Sequence, residues 1–568
     1  MSEPASRTAP QWGSSGNIGP VKPRENRLQW LALPLICLLA LGLRLFNLAA
    51  STLWIDEIYS FMVANVHPFP ETLSLRIESA QAYYYRYLAW QPMHWPTLLG
   101  LLKINVHMPL YYVLLNPWLG WFGNTAWGLR SFSAVCSTLV LLPVYGLGRS
   151  MGNHTLGLLA ASVTALLPFE IYYGQEGRMY ALCLFWAALS ALAFWQILFG
   201  QRRQGLWSAL YTVSVLGGAL SHYVFVVFLG FQSIYGVCWF IGSREKQRAF
   251  QLVPAALAIL GLSLWWMPVY QLQQQGVNEE YHFAKGLLGW TRYFSAPFWQ
   301  ALVVVAGDNK LERLFYIPLT LLVSAFHLWT IQRQNTPDFN RVTQPNANGE
   351  LLQAFSLRQV KPSWRREGYL ACWIFMPTLL QVGYDFLKQT HLSVIDRYAM
   401  LIAPGMCLWL GVCLAGLWAD PANRRKARLG YFLLTLMLVF AVLNVLAPSP
   451  FRDEHNKDKD IRQKIAFMVQ HSQPTDLIFA NGPLGAPNLA AYYLARIKPD
   501  QPILYWISHY HNRAVPFPAS ALMAPYRRIW LFRYRANNER GLQTAKDALH
   551  TLYPQLLTPP QDWFLYSR

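Results

Sequence analysis

Apolar stretches of about twenty residues recur along most of this chain, and they constrain its fold more than any other feature. A helix rises 1.5 Å per residue, so about twenty residues cross the roughly 30 Å hydrocarbon layer of a bilayer. Such stretches fall near 28–48, 127–147, 155–171, 179–199, 206–222, 223–242, 250–270, 312–332, 369–388, 398–418 and 429–448, about eleven in all. Hydrocarbon offers a backbone no water to bond, so stretches of this length are expected as helices. The expected fold class is therefore mainly α, a polytopic transmembrane helical bundle. With 54% hydrophobic and 13% charged residues among 568, the composition excludes an ordinary soluble domain.

Basic residues mark alternate connections between these stretches, and cytoplasmic loops are the ones that retain Lys and Arg. They are Lys22, Arg24 and Arg27; Arg149; Arg202 and Arg203; Arg244, Lys246 and Arg248; Arg365 and Arg366; and Arg424, Arg425, Lys426 and Arg428. This register places residues 1–27 as a cytoplasmic tail, 28–448 as a membrane domain, and loops 49–126 and 271–311 on the outer side. It needs 109–122, with Pro109 and Pro117, to lie along the membrane as an interfacial helix. The net charge of +19 belongs to the loops and tail, where it suits topology and anionic lipid and gives no evidence for nucleic acid.

From about 449 the pattern changes to dense charge and then short apolar runs such as DLIFA, PILYWI and RIWLFRY, between helical patterns. That alternation predicts a small extracytoplasmic α/β domain over 449–568. The cysteines Cys37, Cys136, Cys183, Cys238, Cys372, Cys407 and Cys413 all lie in or beside apolar stretches, and no disulfide framework is indicated. The first apolar stretch is expected to be an uncleaved anchor, because the polar, Pro-rich residues before it are too long and too weakly basic for a signal n-region.

Ionisable residues collect on the expected outer side. Asp56 and Glu57 stand in LWIDEIYS, His107 in HMPLYY, and Glu176, Arg178 and Tyr180 in YYGQEGRMY. His222 stands in SHYVF, and Asp396, Arg397 and Tyr398 in DRYAM. Singly, each has a structural explanation: a turn histidine, a histidine bonded to a helix carbonyl, an arginine reaching for headgroups. Ionisable groups at membrane depth are costly unless they pair, line a wet cavity or do chemistry, and their convergence on one face favours chemistry.

These motifs, with GLRSFSAVCSTLVLLPVYGLGRSMG and DRYAMLIAP, resemble over residues 28–450 the GT-C superfamily of membrane glycosyltransferases. The nearest group is the bacterial proteins similar to dolichyl-phosphate-mannose protein mannosyltransferases. The resemblance implies transfer of a sugar from a polyprenyl-phosphate donor to a lipid, polysaccharide or protein acceptor outside the bacterial inner membrane, usually with inversion. By it, Asp56 matches the general base with Glu57 as its neighbour, and Glu176 matches the second acidic position, followed by Arg178 and Tyr180. His107 matches a position that some relatives use for a metal, and Arg397 and Tyr398 match a pair near the carrier phosphate.

The residues themselves suit that chemistry. Glycosyl transfer needs a base for the acceptor hydroxyl and positive charge for the leaving phosphate. Asp56 or Glu57 can supply the first, and Arg178, Arg397 or a metal the second. Glu176 would be the nucleophile of a retaining route. A divalent ion such as Mg or Mn is left open, with a first-loop acid and His107 or His222 as ligands. The rival class is a transporter or flippase with the same residues along its pathway; against it, no inverted repeat is visible and the charges gather at one surface.

Overall fold

The computed structural model describes residues 27–67, 76–275, 287–302, 317–322, 324–325, 328, 364–390, 392–418, 424–446, 467–468, 470–481, 485–506, 509–510, 513–514, 517–533, 539–553, 555–556 and 563–567. The tail 1–26, most of the stretch 312–332, the polar segment up to 363, the charged run 452–464, and 276–286 and 303–311 of the second long loop lie outside them.

α1 (Arg27–Leu45) leads into a connection made of α2 (Ile55–Ala64), β1 (Glu78–Ser79), α3 (Ala80–Tyr87), α4 (Trp95–Ile104) and α5 (Leu110–Phe122). Then come α6 (Ala126–Leu139), α7 (Leu141–Met151), α8 (His154–Leu166), α9 (Pro168–Gly174) and α10 (Tyr180–Phe199). They are followed by α11 (Gln204–Ser221), α12 (Phe225–Gly242), α13 (Val253–Gln275) and α14 (Leu287–Gln300), and by helices Trp364–Lys388, Ala403–Trp418 and Arg424–Leu446. α10 is buried along most of its length and packs against α6, α7 and α11. Where α7 crosses α8, a side chain at Gly148 would stand 3.0 Å from the Gly157 backbone. Small residues allow such close helix approach where hydrophobicity alone gives no drive.

Among the described residues, six helices are long and apolar enough to span a membrane, or seven if α8 and α9 count as one span bent by 61°. The difference from eleven has local causes. Pro168 has no N–H and pushes Leu167 into an extended conformation, ψ 127°, so the stretch 155–171 breaks in two. The apolar parts of α1 and of Ala403–Trp418 are short, at Leu31–Leu45 and Ala403–Leu417, and 312–332 is mostly undescribed. At 13 residues α5 reaches only about 20 Å, less than a bilayer core. The boundary expected near 222–223 is a real break, from Ser221 to Phe225, and α11, the expected span 206–222, is not among the six helices apolar enough to cross.

Beyond residue 470 the chain builds a sheet ordered β1-β3-β2-β6-β8-β7, using β2 (Leu477–Asn481), β3 (Pro502–Trp506), β6 (Arg528–Arg533), β7 (Gln555–Leu556) and β8 (Trp563–Ser567). A small β4–β5 hairpin (His509–Tyr510, Arg513–Ala514) stands apart. β2 lies parallel to β3 and β6, and the remaining pairs are antiparallel. Leu477, Phe479, Leu504, Trp506, Ile529 and Leu531 pack against Leu549 and Tyr553. All seven cysteines are free.

Candidate active site

The site grows from the first turn of α2. Asp56 and Glu57 sit where a helix presents unsatisfied N–H groups, a favourable place for negative charge. Adjacent helical residues point about 100° apart, and these two go separate ways. Glu57, 1% exposed, turns inward. Its Oε1 accepts from Arg130 Nε at 2.7 Å and from the Gly177 N–H at 2.8 Å, and its Oε2 accepts from Arg130 Nη2 at 2.7 Å and the Trp54 N–H at 3.2 Å. Arg130 spends its other donors on the carbonyls of Leu48, Ser51 and Thr52 and the Ser51 hydroxyl. The pair thus locks the start of the first connection to α6.

Gly177 belongs to this clasp by size. A side chain there would stand 2.5 Å from Leu129 and 3.1 Å from Glu57 Oε1. Next to it, Arg178 reaches back to α2: Nη1 donates to the Asp56 carbonyl at 2.9 Å and to Ser60 Oγ at 3.1 Å, and Nη2 donates to His107 Nε2 at 2.8 Å. Burial opposes its charge most strongly, but Asp56 together with the Tyr180, Tyr112 and Tyr111 oxygens outweighs that and raises its pKa. Asp56 itself is half-exposed, and among the described residues no hydrogen bond reaches its carboxylate.

Arg397 enters from the other side, on the 3-10 helix Asp396–Leu401 that Asp396 opens. Its Cζ stands 5.7 Å from the Tyr398 ring. Interaction with the Tyr180 oxygen outweighs burial and raises the Arg397 pKa, with Asp56 adding to it. Asp56, Glu176, Arg178 and Arg397 all lie within electrostatic reach of the Tyr180 hydroxyl, which gathers the sequence motifs at one place. His222 sits among them, its ring 6.3 Å from His107 and 5.9 Å from both Tyr180 and Tyr398. Glu176 is buried, 5% exposed, in the turn behind Arg178.

Both histidines are held toward the neutral form. Burial, then Arg178, pushes His107 well below its usual range, and burial with Arg178 and Arg397 pushes His222 down to about 3. Hydrogen bonds fix the tautomers: Arg178 donates to His107 Nε2, so the proton rides on Nδ1, while the Val224 N–H donates to His222 Nδ1 at 3.1 Å, leaving Nε2 protonated. The expectation of His107 as a metal ligand meets a ring nitrogen that is already engaged. Its Nε2 is taken by a guanidinium, which would also repel a cation there. Among the described residues no group of three or more His, Cys, Asp or Glu side chains could hold a metal ion.

Two functional side chains escape the sequence reading. Arg130 gives no signal beyond being a lone arginine in an apolar helix. Asp385, 0% exposed, accepts from Thr390 Oγ1 at 2.6 Å and from the N–H groups of Leu392 and Ser393, both at 2.7 Å. It thereby folds the turn that delivers Arg397.

No family model and no curated protein matches the chain. Solved structures do. ArnT from Cupriavidus metallidurans bound to undecaprenyl phosphate is similar at 10% identity and TM-score 0.43, over 95% of this chain and 97% of its own. The Archaeoglobus fulgidus oligosaccharyltransferase is similar at 14% identity and TM-score 0.40, over 88% of this chain and 69% of its own. The mycobacterial arabinofuranosyltransferase AftD is similar at 13% identity and TM-score 0.42, over 89% of this chain and 36% of its own. At these identities and scores the likeness carries no substrate and no residue role.

Proposed function

We propose that this chain is an integral-membrane glycosyltransferase that moves a sugar from a polyprenyl-phosphate donor to an acceptor hydroxyl. The reaction takes place on the extracytoplasmic face of a bacterial inner membrane, with the amino terminus in the cytoplasm. The observation that carries the reading is the open carboxylate of Asp56 beside two guanidinium groups, Arg178 and Arg397, that have no carboxylate within ion-pair distance among the described residues. A site with an open carboxylate and two guanidinium groups that no carboxylate neutralises among the described residues suits a hydroxyl nucleophile and a phosphate leaving group.

In this reading the acceptor oxygen attacks the anomeric carbon while its proton passes to an Asp56 carboxylate oxygen. The bond from that carbon to the phosphate oxygen breaks, and the electron pair stays on the phosphate. Arg178 and Arg397 meet the charge that develops there, in the forked geometry that suits phosphate. His222, protonated on Nε2, adds a neutral donor. A retaining route would need a second carboxylate free to act as nucleophile. Glu57 is spent on Arg130 and Gly177 and Glu176 is buried, so we assign inversion.

The test is incubation of the purified protein with labelled polyprenyl-phosphate sugars. Sugar release by the wild type and none by folded Asp56→Asn is the expected result. Full release by the variant would remove Asp56 from the mechanism. Passage of the intact lipid across vesicles without cleavage would replace the enzyme with a transporter.

A further inference from the structure

Two adjacent residues of one helix in the domain beyond residue 470 accept backbone hydrogen bonds from the candidate site's supports. On Gly485–Ile497, the Tyr493 hydroxyl accepts from the Leu53 N–H at 2.9 Å and the Tyr492 hydroxyl accepts from the Ala126 N–H at 2.8 Å. Leu53 is 0% exposed, so water cannot replace the tyrosine there. It directly precedes Trp54, whose own N–H is taken by Glu57, and Asp56 follows three residues after it. Ala126 is the first residue of α6, where a helix leaves N–H groups unsatisfied, and Arg130 lies one turn further on. The two tyrosines therefore hold the two segments that the Glu57–Arg130 pair joins.

Other contacts keep that helix in place. Arg496 lies over the Tyr492 ring at 3.9 Å and donates to the Asn124 carbonyl at 3.2 Å, and Tyr492 stacks on Phe61 of α2 at 5.7 Å. Asn488 donates to Met62 Sδ at 2.8 Å. β1, from the first connection, adds to the domain's sheet by pairing Glu78 with Ile503 and Ser79 with Pro502, and the N–H groups of Ala80 and Gln81 continue to the Gln501 and Pro499 carbonyls.

We infer that Tyr493, with Tyr492 beside it, is a positioning residue for the transfer proposed above, an inference that rests on that reading. The domain fixes the backbone from which Asp56 projects, and transfer depends on that anchor although no tyrosine of it touches substrate. Tyr493→Phe keeps the ring and removes only the hydroxyl.

Hydrogen exchange and kinetics on the full-length protein test this. In Tyr493→Phe, amide exchange across 49–58 speeds up and kcat for sugar transfer falls, each about tenfold, the scale of one lost buried hydrogen bond. The KM for the polyprenyl-phosphate donor stays within about twofold, because Arg178 and Arg397 are untouched. Tyr492→Phe speeds exchange across 124–130. The control is Tyr553→Phe, which breaks bonds to the Met523 and Tyr526 carbonyls inside the domain. It leaves exchange at 49–58 and kcat unchanged. Unchanged exchange in Tyr493→Phe overturns the inference, as does faster exchange with wild-type kcat, or an equal fall of kcat in Tyr553→Phe. If the wild type releases sugar from no donor, the functional reading fails, and exchange alone still decides whether the anchor exists.

Discussion

The Glu57 carboxylate accepts four hydrogen bonds, while the carboxylate of Asp56, its neighbour on the same helical turn, accepts none among the described residues. Their arginines differ in degree. Every donor-bearing nitrogen of Arg130 is used within the clasp, whereas Arg178 uses Nη1 on the Asp56 carbonyl and Ser60 and Nη2 on His107 but leaves its buried Nε unpartnered. A buried ion pair with every donor spent is architecture, because any change costs desolvation it cannot recover. A half-exposed carboxylate beside incompletely used cations keeps capacity for a ligand. Saturation, more than residue type, separates the brace from the site.

The largest effect should come from the open side. Asp56→Asn removes the proposed base and should lower single-turnover transfer by about 10²- to 10⁴-fold with thermal unfolding unchanged. The closed side should fail in stability: Glu57→Gln strands Arg130 and should cost about 3–5 kcal/mol, read as a lower unfolding temperature and a loss of folded protein. Arg397→Lys keeps the charge and loses the fork, so transfer should fall by about 10- to 100-fold with the fold retained, the scale of one charge-assisted hydrogen bond. A drop in stability equal to that of Glu57→Gln would put Arg397 in the brace and blur the comparison.

The smallest effect is on pH. His107 and His222 titrate below their ordinary value in the fold, so below about pH 6.5 the unfolded chain binds more protons than the native one. Stability should therefore be fully present above that value and decline as pH falls through it. Neither histidine should add a limb to the rate profile between about pH 5.5 and 8. A limb near pH 6.5 that vanishes in His222→Gln would show that His222 is charged in the working enzyme.

The helices and the gathering of Asp56, Arg178, His107, His222 and Arg397 were legible in the sequence. Span-length apolar runs have few other options, and ionisable residues beside them stand out. The split role of the acidic pair was not legible, because two adjacent carboxylates read alike until helix geometry turns one toward Arg130. Asp385 hides in an apolar stretch and acts only through backbone N–H groups. Leu53 and Tyr493 are separated by 440 positions, and nothing local to either announces the contact. The bend at Leu167 was signalled by Pro168, but hydrophobicity over 155–171 masked it.

The most direct test measures single-turnover sugar transfer per folded molecule for Asp56→Asn and Glu57→Gln side by side. Folded fraction is read from the same samples by thermal unfolding. The account predicts that Asp56→Asn is folded and inactive, while the surviving folded fraction of Glu57→Gln transfers sugar at nearly the wild-type rate. Activity in folded Asp56→Asn together with inactivity in folded Glu57→Gln would contradict it and move the base one residue along the helix.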